Sequence, residues 1–217
     1  SAFKGSCSVR GGEPLDEMIK KINKFNYVDA SRSEAHGSRT YDVAGNRLPS
    51  VTTILSRTKD QEFLRKWKGY EDLTPLGQES KRMAEKVIEL GLAPVEGYYG
   101  SEVTLYYPGL FAGSTDLVCV HNGKDTVVDF KQANRPKRVE YIGDYYLQGA
   151  MYCMAHDYVH KTQIEQFVIM MCTPDLYYQE FKLEGGELRK YKHQALKRID
   201  MYYEMKNDEK EATLWQD

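Results

Sequence analysis

The period of apolar and polar residues changes several times along this chain, and each change marks an element. In "PLDEMIKKINKF" (14–25), Leu15, Met18, Ile19, Ile22 and Phe25 fall at helical spacing, which predicts one amphipathic helix. "RTYDVAGNRLP" (39–49) predicts a hairpin turning at Ala44-Gly45-Asn46. Ser50, before "VTTIL", is a good N-cap for a short helix. Helical periods follow at 59–72 and 75–91, the second closing near Gly91. Strand patterns then occupy 98–107, 111–120 and 125–131. A long helical pattern covers 139–158, followed by strands at 166–172 and 176–183 and a last helix at 186–206. The central order of helix, three strands, helix and strand predicts an α/β fold with a mixed sheet.

One stretch breaks its own pattern. In "VVDFKQ" (127–132), Val127, Val128 and Phe130 favour a buried strand, yet Asp129 and Lys131 place two charges on one face of it. Charges do not enter a core without partners. The preceding Asn122-Gly123 is the strongest short hairpin pattern. A two-residue loop there sets His121 against Lys124, and counting back along both strands puts Asp116 directly opposite Asp129. Residues so opposed have Cβ atoms about 4.5–5.5 Å apart, close enough for two carboxylates to repel. Something positive belongs between them. Lys131 is one candidate; a divalent cation suits the oxygen donors better. A buried Asp–Lys pair is the plainer alternative, but such pairs stabilise folds poorly.

Composition narrows the partners. The 217 residues suit one domain, or one domain with a small extension. The formal net charge of −2 requires any nucleic-acid contact to come from a local basic patch. Cys7, Cys119, Cys153 and Cys172 form no C-x-x-C pair, so zinc is not expected and free thiols in a reducing compartment are. No apolar run reaches the roughly 18 residues of a membrane span, and "SAFKGSCSVRGG" has no signal-peptide core. His156 and His160 in "HDYVH" are spaced to share a metal but have no evident third ligand, and read as surface histidines at a helix end.

"AGSTDLV" (112–118), "VVDFKQ" and "LQGAMY" (147–152) together resemble the PD-(D/E)XK nuclease signature, and within it the RecB-type exonuclease branch. That branch carries G-x-x-D, then D-x-K, then Q-x-x-x-Y on a helix; here these are Gly113 with Asp116, Asp129 with Lys131, and Gln148 with Tyr152. "LPSVTTIL" (48–55) and "FLRKWK" (63–68) are similar to the opening segments of phage and mitochondrial genome-maintenance exonucleases. The resemblance spans Leu48 to Tyr203. It implies a restriction-endonuclease-like αβββαβ core over 48–217, with an N-terminal helix and hairpin extension over 1–47.

The resemblance also implies metal-dependent phosphodiester hydrolysis. Asp116 and Asp129 would hold Mg²⁺ or Mn²⁺ with the carbonyl of Phe130, and Glu102 would be an outer ligand. Lys131 would orient or help deprotonate the attacking water. Gln148 and Tyr152, four residues apart on one helix face, would contact water, phosphate or DNA. No iron-sulfur cluster is expected, because the cysteine spacing does not suit one. Candidate phosphate contacts are Arg135, Lys137 and Arg138 in "KQANRPKR", Ser50 and Thr52 at a helix N-terminus, and Lys81 and Arg82, with Arg65, Lys66 and Lys68 as further cations. The family's histidine before the first strand falls at Ala84 in "SKRMAEKVIE". Either this chain lacks it, the residue has been replaced, or the alignment shifts there.

The expected protein is therefore a monomeric DNA exonuclease acting on single strands or frayed ends in the cytoplasm of a bacterial or phage-infected cell, or in another reducing compartment. The rivals are a structure-specific endonuclease on the same fold and a weakly active nucleic-acid-binding relative.

Overall fold

The computed structural model describes residues 15–59 and 77–214, with the side chains of Asp16 and of 77–81 left out. The helical pattern at 59–72, with Arg65, Lys66 and Lys68, lies outside the described residues for all but its first residue.

Two sheets form. The smaller holds β1 (Ser31–Ala35), β2 (Ser38–Val43) and β3 (Asn46–Pro49) in that order, all antiparallel. Its second hairpin turns at Ala44 and Gly45, both at positive φ (49° and 76°), as a two-residue primed turn requires. The larger sheet holds β4 (Val95–Tyr107), β5 (Phe111–His121), β6 (Lys124–Gln132), β7 (Gln166–Cys172) and β8 (Tyr178–Glu184) in order. Only β6 and β7 pair in parallel, so the sheet is mixed. The β5–β6 turn is Asn122-Gly123 at φ 49° and 75°, and His121 does face Lys124.

Helices cover both faces. On one side lie α2 (Val51–Arg57), α4 (Gly143–His160) and α5 (Gly185–Leu214), packed against Val118, Val127, Phe167, Ile169 and Leu183. On the other lies α3 (Gly77–Gly91), whose Met83, Ala84 and Val87 pack against Leu117, Val128, Phe130, Val168 and Met170. Covered on both faces, β7 is buried at every residue, QFVIMMC. Helix α4 crosses β7 closely because Gly149 has no side chain: a Cβ there would stand 2.0 Å from the Phe167 ring. No helix among the described residues is long and apolar enough to cross a membrane.

The first predicted helix is a finding against the periodicity. Helix α1 is only Leu15–Met18, and by Lys21 the chain runs extended along β4, with Ile22 N–H on the Tyr98 carbonyl at 2.8 Å. Leu15 and Ile19 pack into the α3-side cluster, whereas Ile22 and Phe25 pack against the cluster on the other side. Apolar residues that serve two faces of a sheet edge happened to fall at helical spacing. The division drawn between 47 and 48 falls inside β3.

Candidate active site at a fork in the sheet

Strand β5 pairs with β6 from His121 only as far as Leu117, opposite Val128. Beyond that, β5 continues along β4 and β6 along β7, so the two strands part. Asp116 and Asp129 occupy the next position on each side of the fork. The expected register is therefore present, but the ladder stops one residue short of the two carboxylates.

Side chains replace the missing ladder bonds. The Thr115 hydroxyl donates to the Val128 carbonyl at 2.9 Å, and the Phe130 N–H donates to Asp116 Oδ2 at 2.7 Å. The N–H and C=O of one strand residue point to the same edge, so the Phe130 carbonyl also turns into the fork.

Strand alternation sends Asp129 and Lys131 to the α4 side, with Val128 and Phe130 on the α3 side. Asp116 is 4% exposed and Asp129 2%. Lys131 Nζ lies 2.5 Å from Asp129 Oδ2 and donates to Gln148 Oε1 at 3.1 Å. Gln148 Nε2 in turn donates to the Tyr152 hydroxyl at 2.8 Å. Burial alone would push the Asp129 carboxyl up, but the Lys131 ammonium and a hydrogen bond with Asp116 act together against it and hold the group below the usual carboxylate range. Burial likewise pulls Lys131 down, and the Asp129 carboxylate reverses this and holds it above an ordinary lysine. The pair is ionised at neutral pH.

Two contacts escaped sequence reasoning. The Tyr145 ring centroid lies 4.8 Å from Lys131 Nζ, a cation–π contact, and Tyr145 stands three residues before Gln148 on the same helix face. Gly113, read only as part of a motif, makes room for Tyr152: a Cβ there would meet the Tyr152 ring at 2.5 Å.

The structure thus brings together Asp116, Asp129, the Phe130 backbone, Lys131, Gln148 and Tyr152. The donor set of two buried carboxylates and a carbonyl suits a hard divalent cation, and Asp129 Oδ2 is buried beside the Lys131 ammonium. Glu102 is not gathered in. Among the described residues, no three His, Cys, Asp or Glu side chains converge as a metal site. Glu102 stands in register opposite Asp116, between Ser101 and Val103, but is exposed and has φ of 50°.

The other candidates fall at several places around the sheet. Ser50 is 2% exposed, and its hydroxyl accepts from Thr53 N–H at 3.0 Å, so it caps α2 from within rather than facing solvent. Thr52 is exposed, 3.0 Å from that hydroxyl. Arg82 is exposed on α3, behind the sheet from Asp129 and Lys131, while the Lys81 side chain lies outside the described residues. Ala84 is buried in the α3-side cluster with Phe130, so a histidine there would be aimed at the back of the sheet. Arg135 and Arg138 are exposed and Lys137 half-buried on the loop leaving β6. His156 is fully buried rather than a surface residue, because Phe25 and Tyr27 cover it.

No family model matches the chain, and no curated protein does. Solved structures do. An alkaline exonuclease (LHK-Exo) from Laribacter hongkongensis is 14% identical, with a TM-score of 0.38 over 76% of this chain and 93% of that one. A Eubacterium rectale protein carrying a provisional exonuclease name is 16% identical, with a TM-score of 0.38 over 64% of this chain and 57% of that one. The protein SSO0001 is 20% identical, with a TM-score of 0.32 over 47% of this chain, which spans half of its length.

Proposed function

We propose that this protein is a metal-dependent nuclease that hydrolyses phosphodiester bonds, and more narrowly a DNA exonuclease acting on single-stranded or frayed ends. The observation that supports the reading is the fork: two buried carboxylates and an inward-turned carbonyl beside a lysine held from three sides. Asp116, Asp129 and the Phe130 carbonyl would hold Mg²⁺ or Mn²⁺. When bound, such an ion supplies charge to polarise a phosphate and lowers the pKa of water.

The chain's own residues supply the rest. Lys131 carries a full positive charge and acts as an electrostatic group, orienting water and offsetting negative charge that builds on the phosphate. Gln148 fixes the ammonium through its carbonyl oxygen, the only end of an amide that a lysine can use. Tyr152 holds the other end of that amide, and the Tyr145 ring covers the ammonium from the helix side. Arg135, Lys137 and Arg138, on the loop leaving β6, would take the backbone phosphates.

End-labelled linear and circular single-stranded DNA, incubated with Mg²⁺ or Mn²⁺, test the reading. The linear strand should shorten stepwise from an end while the circle survives, and chelation should stop the reaction. Rapid nicking of the circle would make the protein an endonuclease on the same fold. Binding without cleavage at any metal concentration would leave a nucleic-acid-binding relative.

A further inference from the structure

The basic loop leaving β6 is fastened by a side chain instead of a strand. Lys137 N–H donates to Gln179 Oε1 at 2.8 Å, and Gln179 Nε2 donates to the Lys137 carbonyl at 2.9 Å. One amide thus makes both bonds that a neighbouring strand would make with the Lys137 peptide. Gln179 shares a row of the sheet with the candidate site: Lys131 pairs with Met171, and Met171 with Gln179. Two strand spacings separate them, about 10 Å. Gln179 also has the parity of Phe181 and Leu183, which pack on the α4 side, so its side chain and the loop stand on the face that bears Lys131.

The loop so placed is basic. "ANRPKR" (133–138) has three cations and no acid in a chain with 32 acidic and 30 basic residues. No ion pair among the described residues involves Arg135 or Arg138, although both are exposed. Next to the clamp, two residues before Gln179, Tyr177 is 52% exposed. Cations without carboxylate partners suit phosphates, and an exposed ring stacks on a base only when that base is unpaired.

We infer that Gln179 is a positioning residue, clamping the 133–138 loop as a rail for a single nucleic-acid strand that Arg135 and Arg138 hold by its phosphates and Tyr177 by a base. The inference rests on the nuclease reading of the fork. It is tested on the metal-free protein in chelator, by fluorescence anisotropy of a labelled 20-nucleotide oligothymidylate and of a 20-base-pair duplex across a salt series. Gln179→Leu should speed exchange of the Lys137 amide and raise Kd for the single strand about tenfold, and Gln179→Glu, which keeps only the bond from Lys137 N–H, should fall between. Arg135→Ala and Arg138→Ala should each lower the salt slope by about 0.7. Tyr177→Leu should weaken the single strand about tenfold and spare the duplex. A wild-type protein that neither binds nor cleaves would overturn the nuclease reading and the rail with it. A wild-type protein that cleaves, with Gln179→Leu showing faster Lys137 exchange but unchanged affinity, would overturn the rail alone. Equal loss on strand and duplex in Tyr177→Leu would overturn its choice of a single strand.

Discussion

Helix α4 carries a chain of hydrogen bonds near each end, and the two differ in whether they close. Toward its C-terminus the Tyr27 hydroxyl meets His156 Nε2 at 2.9 Å, His156 Nδ1 meets Thr162 Oγ1 at 2.7 Å, and the Thr162 hydroxyl donates to Asp157 Oδ1 at 2.9 Å. Since Thr162 spends its proton on Asp157, it must accept from Nδ1–H, and Nε2 must accept from Tyr27. One neutral tautomer satisfies every group, and Lys192 completes the Asp157 carboxylate at 3.4 Å. In the N-terminal half, Tyr152, Gln148 and Lys131 form an equally directional chain, but it ends on a buried carboxylate pair in the fork. A polar network that closes on itself holds the fold together; one that ends on two buried carboxylates side by side has the oxygen donors that suit a divalent cation.

Isosteric changes at the two carboxylate ends should separate these roles most widely. Asp116→Asn keeps an oxygen for the Phe130 N–H, so the fold should survive, while the loss of charge should lower cleavage by at least about 10³-fold. Asp157→Asn should leave the rate alone and cost about 1–3 kcal/mol, because an amide N–H then faces Lys192. Cleavage rates and urea unfolding of both variants check this. Near-normal turnover of Asp116→Asn at saturating Mg²⁺ would remove Asp116 from the metal.

Within the open chain, Lys131→Ala should cost about 10²-fold in rate while leaving metal binding in place, as removal of one positioned charge usually does. Asp129, relieved of its cation, should then bind metal no less tightly, which calorimetry can measure. If the variant unfolds and its folded fraction keeps full rate, the Asp129–Lys131 pair is structural after all.

Ala84→His sharpens the comparison from behind the sheet. Ala84 sits in the apolar cluster with Met83, Val87 and Phe130, so an imidazole there overfills a packed space and buries polar nitrogens. Stability should fall by about 1–3 kcal/mol, with no gain in Mn²⁺ affinity. A lower half-saturating Mn²⁺ concentration would show that the helix turns this position toward the fork.

Much of this was legible locally. Asn122-Gly123 fixed the β5–β6 register, and with it the meeting of Asp116 and Asp129, because a two-residue turn leaves no freedom of phase. The helix face bearing Gln148 and Tyr152 follows from spacing alone. What was not legible depends on distant partners. The pairing ends at Leu117 because β5 and β6 each continue along a different neighbour. His156 is buried because Tyr27, 129 residues earlier, folds over it. Gln179 grips Lys137 across 42 residues, a contact that no local pattern encodes.

The closed chain has its own pH signature. Burial, aided by the nearby His160, pushes the His156 imidazole down to about 3. An unfolded imidazole takes up its proton near 6.5, so the unfolded state binds more protons between those values. The stability that His156 contributes is complete above about pH 6.5 and is lost as pH falls, at up to about 1.4 kcal/mol per unit. Asp157, pushed up by burial, acts in the opposite sense at lower pH. The difference between wild type and His156→Gln therefore isolates the imidazole: Tm plotted from pH 7 to 5 should fall less steeply in the variant. Parallel curves would mean that His156 is charged in the fold.

The smallest effect belongs to Tyr152→Phe. A lysine has donors only, so Lys131 obliges Gln148 to present its oxygen, which leaves the amide nitrogen toward Tyr152. The hydroxyl is thus the acceptor of a bond whose direction is already set elsewhere. Removing it strands a buried N–H, at a cost of about 1 kcal/mol, while the amide has no reason to turn over. The phenyl ring still fills the space that Gly113 leaves for it. Cleavage should therefore stay within about threefold of wild type, under 1 kcal/mol in activation free energy, with a small drop in Tm. A loss as large as that of Lys131→Ala, without matching loss of stability, would mean that the Tyr152 hydroxyl touches the substrate and that the open chain extends one residue further than its hydrogen bonds imply.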